Sequence, residues 1–156
     1  MATAPFPHRY VMSVSNHELA APPRAPIQGG APPQFGGTDQ VWSPEELLVG
    51  AVVLCLETTF DAFAKRAGLQ VLDWRATGTA MLDKGQGGPT FTSIVIDVAV
   101  STEAGQEARV EELVQSAERH CIISRALSVP VHVNVTARAG APDAQPDELD
   151  ASAAVV

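Results

Sequence analysis

Ser43-Pro-Glu-Glu-Leu-Leu-Val-Gly-Ala-Val-Val-Leu-Cys55 is the stretch on which the fold turns. Ser43 carries the hydroxyl of a helix N-cap, and Pro44 stands at the first helical position, where a missing N–H costs nothing. Glu46 follows the cap by three residues, the spacing of a capping box. These signals predict a helix of ~24 residues, ~36 Å long, from Pro44 to about Ala67, with Gly68 as its stop. Between Leu47 and Leu56 the helix is apolar nearly all round, which predicts burial on most faces. Cys55, one of two cysteines in the chain, lies inside it. A buried cysteine is by default a small hydrophobe, so the rest of the chain must decide whether this one does more.

Beyond Gly68 the hydrophobic period changes from helical to alternating. Val71–Leu82 and Phe91–Ser101 read as strands, the second with Ile94, Ile96, Val98 and Val100 on one face. Asp83–Pro89, with Gly85, Gly87 and Gly88, reads as the long loop of a hairpin between them. A second helix is predicted over Glu107–Arg119, with Val110, Leu113, Val114 and Ala117 on one stripe and Cys121 at its end. Ile122–Leu127 is a short connection to a last strand, Val129–Ala137. Toward the N-terminus, His8–Ser15 alternates as a strand. Residues 20–42 hold five prolines and four glycines and predict an irregular arm with a short edge strand near Ala25–Gln28. The expected organisation is one domain over residues 1–137, including a Pro/Gly-rich arm over 1–42, and a flexible acidic tail over 138–156. The element order predicts an α+β fold with a mainly antiparallel sheet.

Composition narrows the function classes. At 156 residues the chain can bury roughly 70% of its unfolded surface, enough for a core without staples. A formal net charge of −8 argues against nucleic acid or an anionic membrane as the main partner. The longest uninterrupted apolar run, Leu47–Leu56, is well short of the ~20 residues of a membrane span. The N-terminal residues lack the charged and apolar regions of a secretory signal. A cytoplasmic location is therefore expected, where two cysteines are free, catalytic or metal-bound rather than a structural bridge.

The two cysteines carry the chemistry. Each sits on the apolar stripe of a predicted helix, and if those helices pack together the sulfurs can meet as a redox pair, one attacking and one resolving. His120 adjoins Cys121, but the chain has no CxxC or HxxxH spacing, so no metal and no cofactor are expected. His8, His17 and His132 are scattered, and His132 alternates with Val131 and Val133 as a solvent-facing strand residue. Glu46 is explained by the capping box, and Glu45 complements the helix dipole. Glu45 and Cys55 are ten residues apart on one helix, ~15 Å along its axis, so they can act together only across a dimer of antiparallel helices.

Pro33-Gln-Phe-Gly-Gly37, Trp42-Ser-Pro-Glu-Glu-Leu-Leu48, Cys55 and Cys121-Ile-Ile-Ser-Arg-Ala-Leu127 resemble the OsmC/Ohr family of osmotically inducible and organic hydroperoxide resistance proteins, over roughly residues 9–137. The resemblance implies mainly antiparallel sheets wrapped around two long central helices in an intertwined homodimer. It implies a thiol-dependent peroxidase for organic hydroperoxides, with Cys55 peroxidatic, Cys121 resolving and an external dithiol as electron donor. Glu45 would help place the family's arginine. Two positions depart from the family pattern. The second cysteine usually stands in Cys-Pro-(Ile/Tyr)-Ser, whereas here it is followed by Ile122-Ile123-Ser124. The family arginine comes from the N-terminal hairpin, where this chain offers only Arg9 and Arg24; Arg24, flanked by Pro23 and Pro26, is the candidate.

Two other readings stay open. One is a non-enzymatic or weakly active dimer of the same fold, binding a small apolar ligand at its interface. The other is a thiol sensor that forms the disulfide but turns over poorly.

Overall fold

The computed structural model describes residues 6–140. Contacts divide the chain after Leu48, and each part has its own architecture.

The first part is a small three-stranded sheet followed by the start of a long helix. β1 (Ser13–Ser15) and β2 (Glu18–Ala20) are joined by Asn16 and His17, both at positive φ (51° and 66°). That is the two-residue turn that matches strand twist, and Asn at its first position suits the left-handed conformation. β3 (Ile27–Gln28) completes the antiparallel order β1-β2-β3. The strand expected over His8–Ser15 is thus only Ser13–Ser15. In this register Met12 would face Ala21 and Val11 would face Pro22, which has no N–H to donate, so the ladder stops. A 3₁₀ turn over Pro33–Phe35 ends at Gly36, whose φ is 80°. At Gly37 a side chain would collide with the Ala31 carbonyl, so the turn requires glycine there.

α1 (Pro44–Ala67) has the expected boundaries and cap. The Ser43 N–H donates to Glu46 Oε2 (2.8 Å), and the Glu46 N–H donates to Ser43 Oγ (3.1 Å). Its burial differs from expectation. Val52, Leu56, Phe60 and Ala64, spaced by four, are buried, while Ala51 and Leu54 on the other side are exposed, Leu54 at 59%. A single sheet covers only one face of a helix, so an all-round apolar stretch leaves the other face open within one chain. By length and mean hydropathy (1.8) α1 is long and apolar enough to cross a membrane. Its buried stripe is instead engaged in the core of the second part.

That core rests on a second three-stranded sheet, in the order β4 (Val71–Gly85), β5 (Gly88–Thr102), β6 (Val131–Ala139). β4 and β5 form the expected hairpin, but the strands continue to a two-residue turn at Gln86-Gly87, with Gly85 opposite Gly88. Every residue from 81 to 90 is exposed, so backbone pairing alone extends this ribbon beyond the hydrophobic pattern. β6 pairs with β5 in parallel, from Ile94 opposite Val131 to Thr102 opposite Ala139. The expectation of mainly antiparallel pairing holds for the other pairs and fails here. The chain between β5 and β6 forms α2 (Glu107–His120) and α3 (Ile122–Ala126), and a helical crossover returns a strand in parallel. β6 also continues to Ala139, past the start of the expected tail; residues 141–156, the rest of that tail, lie outside the described residues.

Val52, Leu56, Phe60 and Ala64 of α1, Ile94, Ile96, Val98 and Val100 of β5, and Val110, Leu113, Val114 and Ala117 of α2 form one buried cluster. The rings of Phe60 and Trp74 stack with centroids 4.7 Å apart. Phe63 of α1 meets the His120 ring of α2 edge-on at 5.4 Å, which ties the ends of the two helices together. Gly78 of β4 lies beneath α1: a Cβ there would be 2.6 Å from a Val53 methyl and 2.8 Å from one of Val49. The helix therefore approaches the sheet closely because this strand position has no side chain.

Candidate active site: a thiol pair between two helices

Cys55 sits one residue before Leu56, at the edge of the buried stripe of α1, and is half-buried. Cys121 ends α2 and is fully buried. Its backbone is extended (φ −62°, ψ 113°), so it closes α2 and also caps α3. The Cys121 N–H donates to Glu118 O at 3.3 Å, and the Arg125 N–H donates to Cys121 O at 3.1 Å. The packing of α1 and α2 on β5 thus brings together two cysteines that are 66 positions apart in sequence. Both thiols are free.

Their environments push them in opposite directions. Burial raises the pKa of Cys55, but its polar surroundings, the Ile123 peptide, the Cys121 thiol, the Ile122 peptide and Thr59, together outweigh it and the net shift is downward; the Thr59 hydroxyl itself donates to Cys55 O at 2.7 Å. Burial raises the pKa of Cys121, and its neighbour Cys55 raises it further. The Ser124 hydroxyl, which donates to Cys121 Sγ at 3.1 Å, and the Ser124 N–H only partly counter this. Cys55 is therefore the thiol that ionises first and the one solvent can reach. Cys121 is fully buried, and its surroundings disfavour the thiolate.

Thr59, Ser124 and the two isoleucine peptides were not singled out by sequence. Ser124 is three residues after Cys121 and its hydroxyl reaches the sulfur, whereas Thr59, four after Cys55, turns its hydroxyl back onto the Cys55 carbonyl. The N–H groups carry no sequence signal except the absence of proline at position 122.

The other two expected site residues belong to the N-terminal part. Glu45 lies in the first turn of α1, and its Oε2 is buried with no hydrogen-bond partner. It lines an apolar cavity of about 470 Å³ together with Leu19, Phe35, Trp42 and His17. Arg24 is exposed and donates to Ala21 O at 3.3 Å. Among the described residues no ion pair joins it to Glu45, and no cation is among the groups acting on Cys55. No group of three or more His, Cys, Asp or Glu side chains among the described residues is placed to hold a metal ion.

Comparison with known proteins agrees on one family. The family model described as OsmC-like protein matches residues 37–136. An uncharacterized Bacillus subtilis protein, YmaD, is 28% identical over 110 residues, spanning 68% of this chain and 73% of its own. Among solved structures, an OsmC like protein from Mycoplasma pneumoniae is similar with a TM-score of 0.72 at 14% identity, over 85% of this chain and 99% of its own. An organic hydroperoxide resistance protein from Elizabethkingia anophelis gives a TM-score of 0.67 at 15% identity, over 86% and 100% of the two chains. At these identities the structural likeness is one of fold.

Proposed function

The chain belongs to the OsmC-like family, and from that premise we propose that it is a thiol-dependent peroxidase reducing organic hydroperoxides through Cys55 and Cys121. The observation that carries the reading is the asymmetric pair: an accessible thiol inclined to ionise, beside a buried one inclined not to.

The Cys55 thiolate attacks the terminal peroxide oxygen and the O–O bond breaks. The sulfur becomes a sulfenic acid, and the departing alkoxide takes a proton and leaves as the alcohol. Cys121 then attacks the Cys55 sulfur, water leaves, and a disulfide forms. An external dithiol reduces that disulfide and restores both thiols, with no cofactor or metal. One turnover converts hydroperoxide and dithiol into alcohol, water and the oxidised donor. Leu54 and the partly buried valines of α1 offer an oily approach that favours organic over hydrogen peroxide.

The active form in this reading is a homodimer in a reducing, cytoplasmic compartment. The uncovered apolar side of α1 is where a second copy packs, and the unpartnered Glu45 carboxylate serves the partner's site, with Arg24 as the cation it positions. A second reading is favoured by the cavity beside Glu45: a dimer that binds a small apolar ligand and has little or no peroxidase activity.

Turnover of cumene hydroperoxide with dithiothreitol separates the two readings. Wild type should turn over, Cys55→Ser should be inactive, and Cys121→Ser should perform a single turnover and stop at the sulfenic acid. A wild type no faster than Cys55→Ser would remove the peroxidase reading and favour the ligand-binding one.

A further inference from the structure

Once a disulfide joins Cys55 to Cys121, a dithiol can attack only the sulfur it reaches. Cys55 is half-buried and Cys121 is fully buried, so attack falls on Cys55 and Cys121 is the leaving group. The leaving sulfur takes up negative charge where no solvent meets it, which is costly unless a donor stands ready. Nor can Cys121 swing out to water. Its backbone is clamped on both sides, with its N–H on Glu118 O at 3.3 Å and its carbonyl receiving the Arg125 N–H at 3.1 Å.

A donor is in place. The Ser124 hydroxyl donates to Cys121 Sγ at 3.1 Å. Ser124 lies in α3, three residues past the cysteine, and is half-buried. A hydroxyl on a helix commonly turns back onto a carbonyl of the preceding turn. Thr58 and Thr59 of α1 do so, onto Leu54 O at 2.9 Å and Cys55 O at 2.7 Å. Ser124 spends its hydrogen on a sulfur instead. The neighbouring basic side chains do not take that role. His120 Nδ1 is bonded to Ser116 O, and Arg119 and Arg125 are exposed.

We propose that the Ser124 hydroxyl stabilises Cys121 as the leaving thiolate when the disulfide is reduced, and so sets how fast the thiol pair is restored. The inference deepens the peroxidase reading and rests on it for its place in the cycle. A thiolate of the donor attacks the Cys55 sulfur and the Cys55–Cys121 bond breaks. Its electron pair leaves on Cys121, which then takes a proton. The donor's second thiol displaces Cys55 from the mixed disulfide, Cys55 departs with that electron pair, and the donor closes as its own disulfide. Hydrogen bonds to an ionised acceptor are roughly twice as strong as neutral ones, so the Ser124 bond strengthens as charge arrives on the sulfur. An interaction stronger in the transition state than in the ground state speeds the step.

The azo oxidant diamide converts a dithiol to a disulfide without peroxide, which isolates the step. The full-length protein is oxidised with diamide, mixed with dithiothreitol at pH 7, quenched with N-ethylmaleimide at intervals and weighed by mass spectrometry. Ser124→Ala should be reduced about tenfold more slowly than wild type, the weight of one charge-assisted hydrogen bond. The direction of the change separates this from packing, since loss of a side chain that only held the site closed would expose the disulfide and speed its reduction. Iodoacetamide labelling of Cys55 in the reduced protein, read by peptide mass, should keep the wild-type rate in Ser124→Ala, because Ser124 touches the other sulfur. A Ser124→Ala disulfide reduced as fast as the wild type's, or faster, overturns the proposal. So do equal losses in reduction and labelling, or a wild type in which diamide forms no Cys55–Cys121 disulfide.

Cumene hydroperoxide turnover measured alongside keeps the two ideas apart. Slow reduction of Ser124→Ala in a protein that does not reduce the peroxide upholds the Ser124 assignment and removes the peroxidase reading. Peroxide turnover with no effect of Ser124→Ala on disulfide reduction does the reverse.

Discussion

Gly78→Ala should destabilise the protein, although local propensity says the opposite. Gly78 does not have positive φ, so alanine fits its backbone. In an open strand position the exchange would stabilise by ~0.4–1 kcal/mol through the unfolded chain. Here the new Cβ would lie 2.6 Å from Val53 Cγ2 and 2.8 Å from Val49 Cγ1. Carbon atoms pack at about 3.5–4.0 Å, so both contacts are roughly 1 Å too short. The two valines are one turn apart on α1, and a helical valine has one strongly preferred rotamer, so neither methyl pair swings away cheaply. Overpacking of this kind costs about 1–3 kcal/mol. The net is a loss of about 1–2 kcal/mol, or a fall of roughly 2–8 °C in Tm for a chain of this size. Thermal and urea unfolding at one fixed protein concentration measure it, since association would otherwise shift the midpoint. Val53→Ala in the same background should recover part of the loss, a positive coupling between the sites. A Gly78→Ala protein as stable as wild type, or more so, would refute the claim that this glycine sets the distance between α1 and the sheet.

Two further perturbations test the helix from its end and from its open face. Ser43→Ala removes the hydroxyl that receives the Glu46 N–H and should cost ~1 kcal/mol, with Ser43→Thr largely sparing it; an unchanged melting curve for Ser43→Ala would refute the cap's contribution. Leu54→Glu places a charge on the uncovered side of α1, where a second copy is proposed to sit. Light scattering should show a wild-type dimer and a predominantly monomeric variant, and a wild-type monomer, or a Leu54→Glu dimer of equal affinity, would remove that interface.

What the sequence disclosed follows from which interactions are local. The limits of α1 could be read because Ser43, Pro44, Glu46 and Gly68 act within one turn of themselves. The inward faces of β5 and α2 could be read because alternation and helical spacing are properties of a short window. The parallel partner of β5 could not, since pairing direction depends on where a helical crossover delivers the chain. Nor could the length of the hairpin, whose outer part is held by backbone bonds that any sequence makes. At the site, the two cysteines were visible as residue types on apolar stripes, and their meeting depends on the packing of α1 and α2 on one sheet. The donors that differentiate them were hidden for the same reason: two are peptide groups, which every residue except proline possesses.

The two departures from the family pattern raise one question, what compensates the Cys55 thiolate. An ionised sulfur at the edge of an apolar stripe needs compensation, because burial alone would keep it a neutral, slow thiol. In this chain the surroundings that incline Cys55 to ionise are the Ile123 and Ile122 peptides, the Cys121 thiol and Thr59, with no cation among the described residues that do so. Isoleucine at position 122, where the family usually has proline, keeps a peptide N–H next to Cys121. Compensation by dipoles differs from compensation by a charge in a measurable way. A guanidinium attracts a thiolate over a distance that salt can screen, whereas fixed N–H groups act at contact and are largely indifferent to ionic strength. The pH midpoint for iodoacetamide labelling of Cys55 in the reduced wild type should therefore move little between low and ~1 M salt. A midpoint that climbs steeply with salt would mean that a cation, with Arg24 the first to mutate, carries the nucleophile after all.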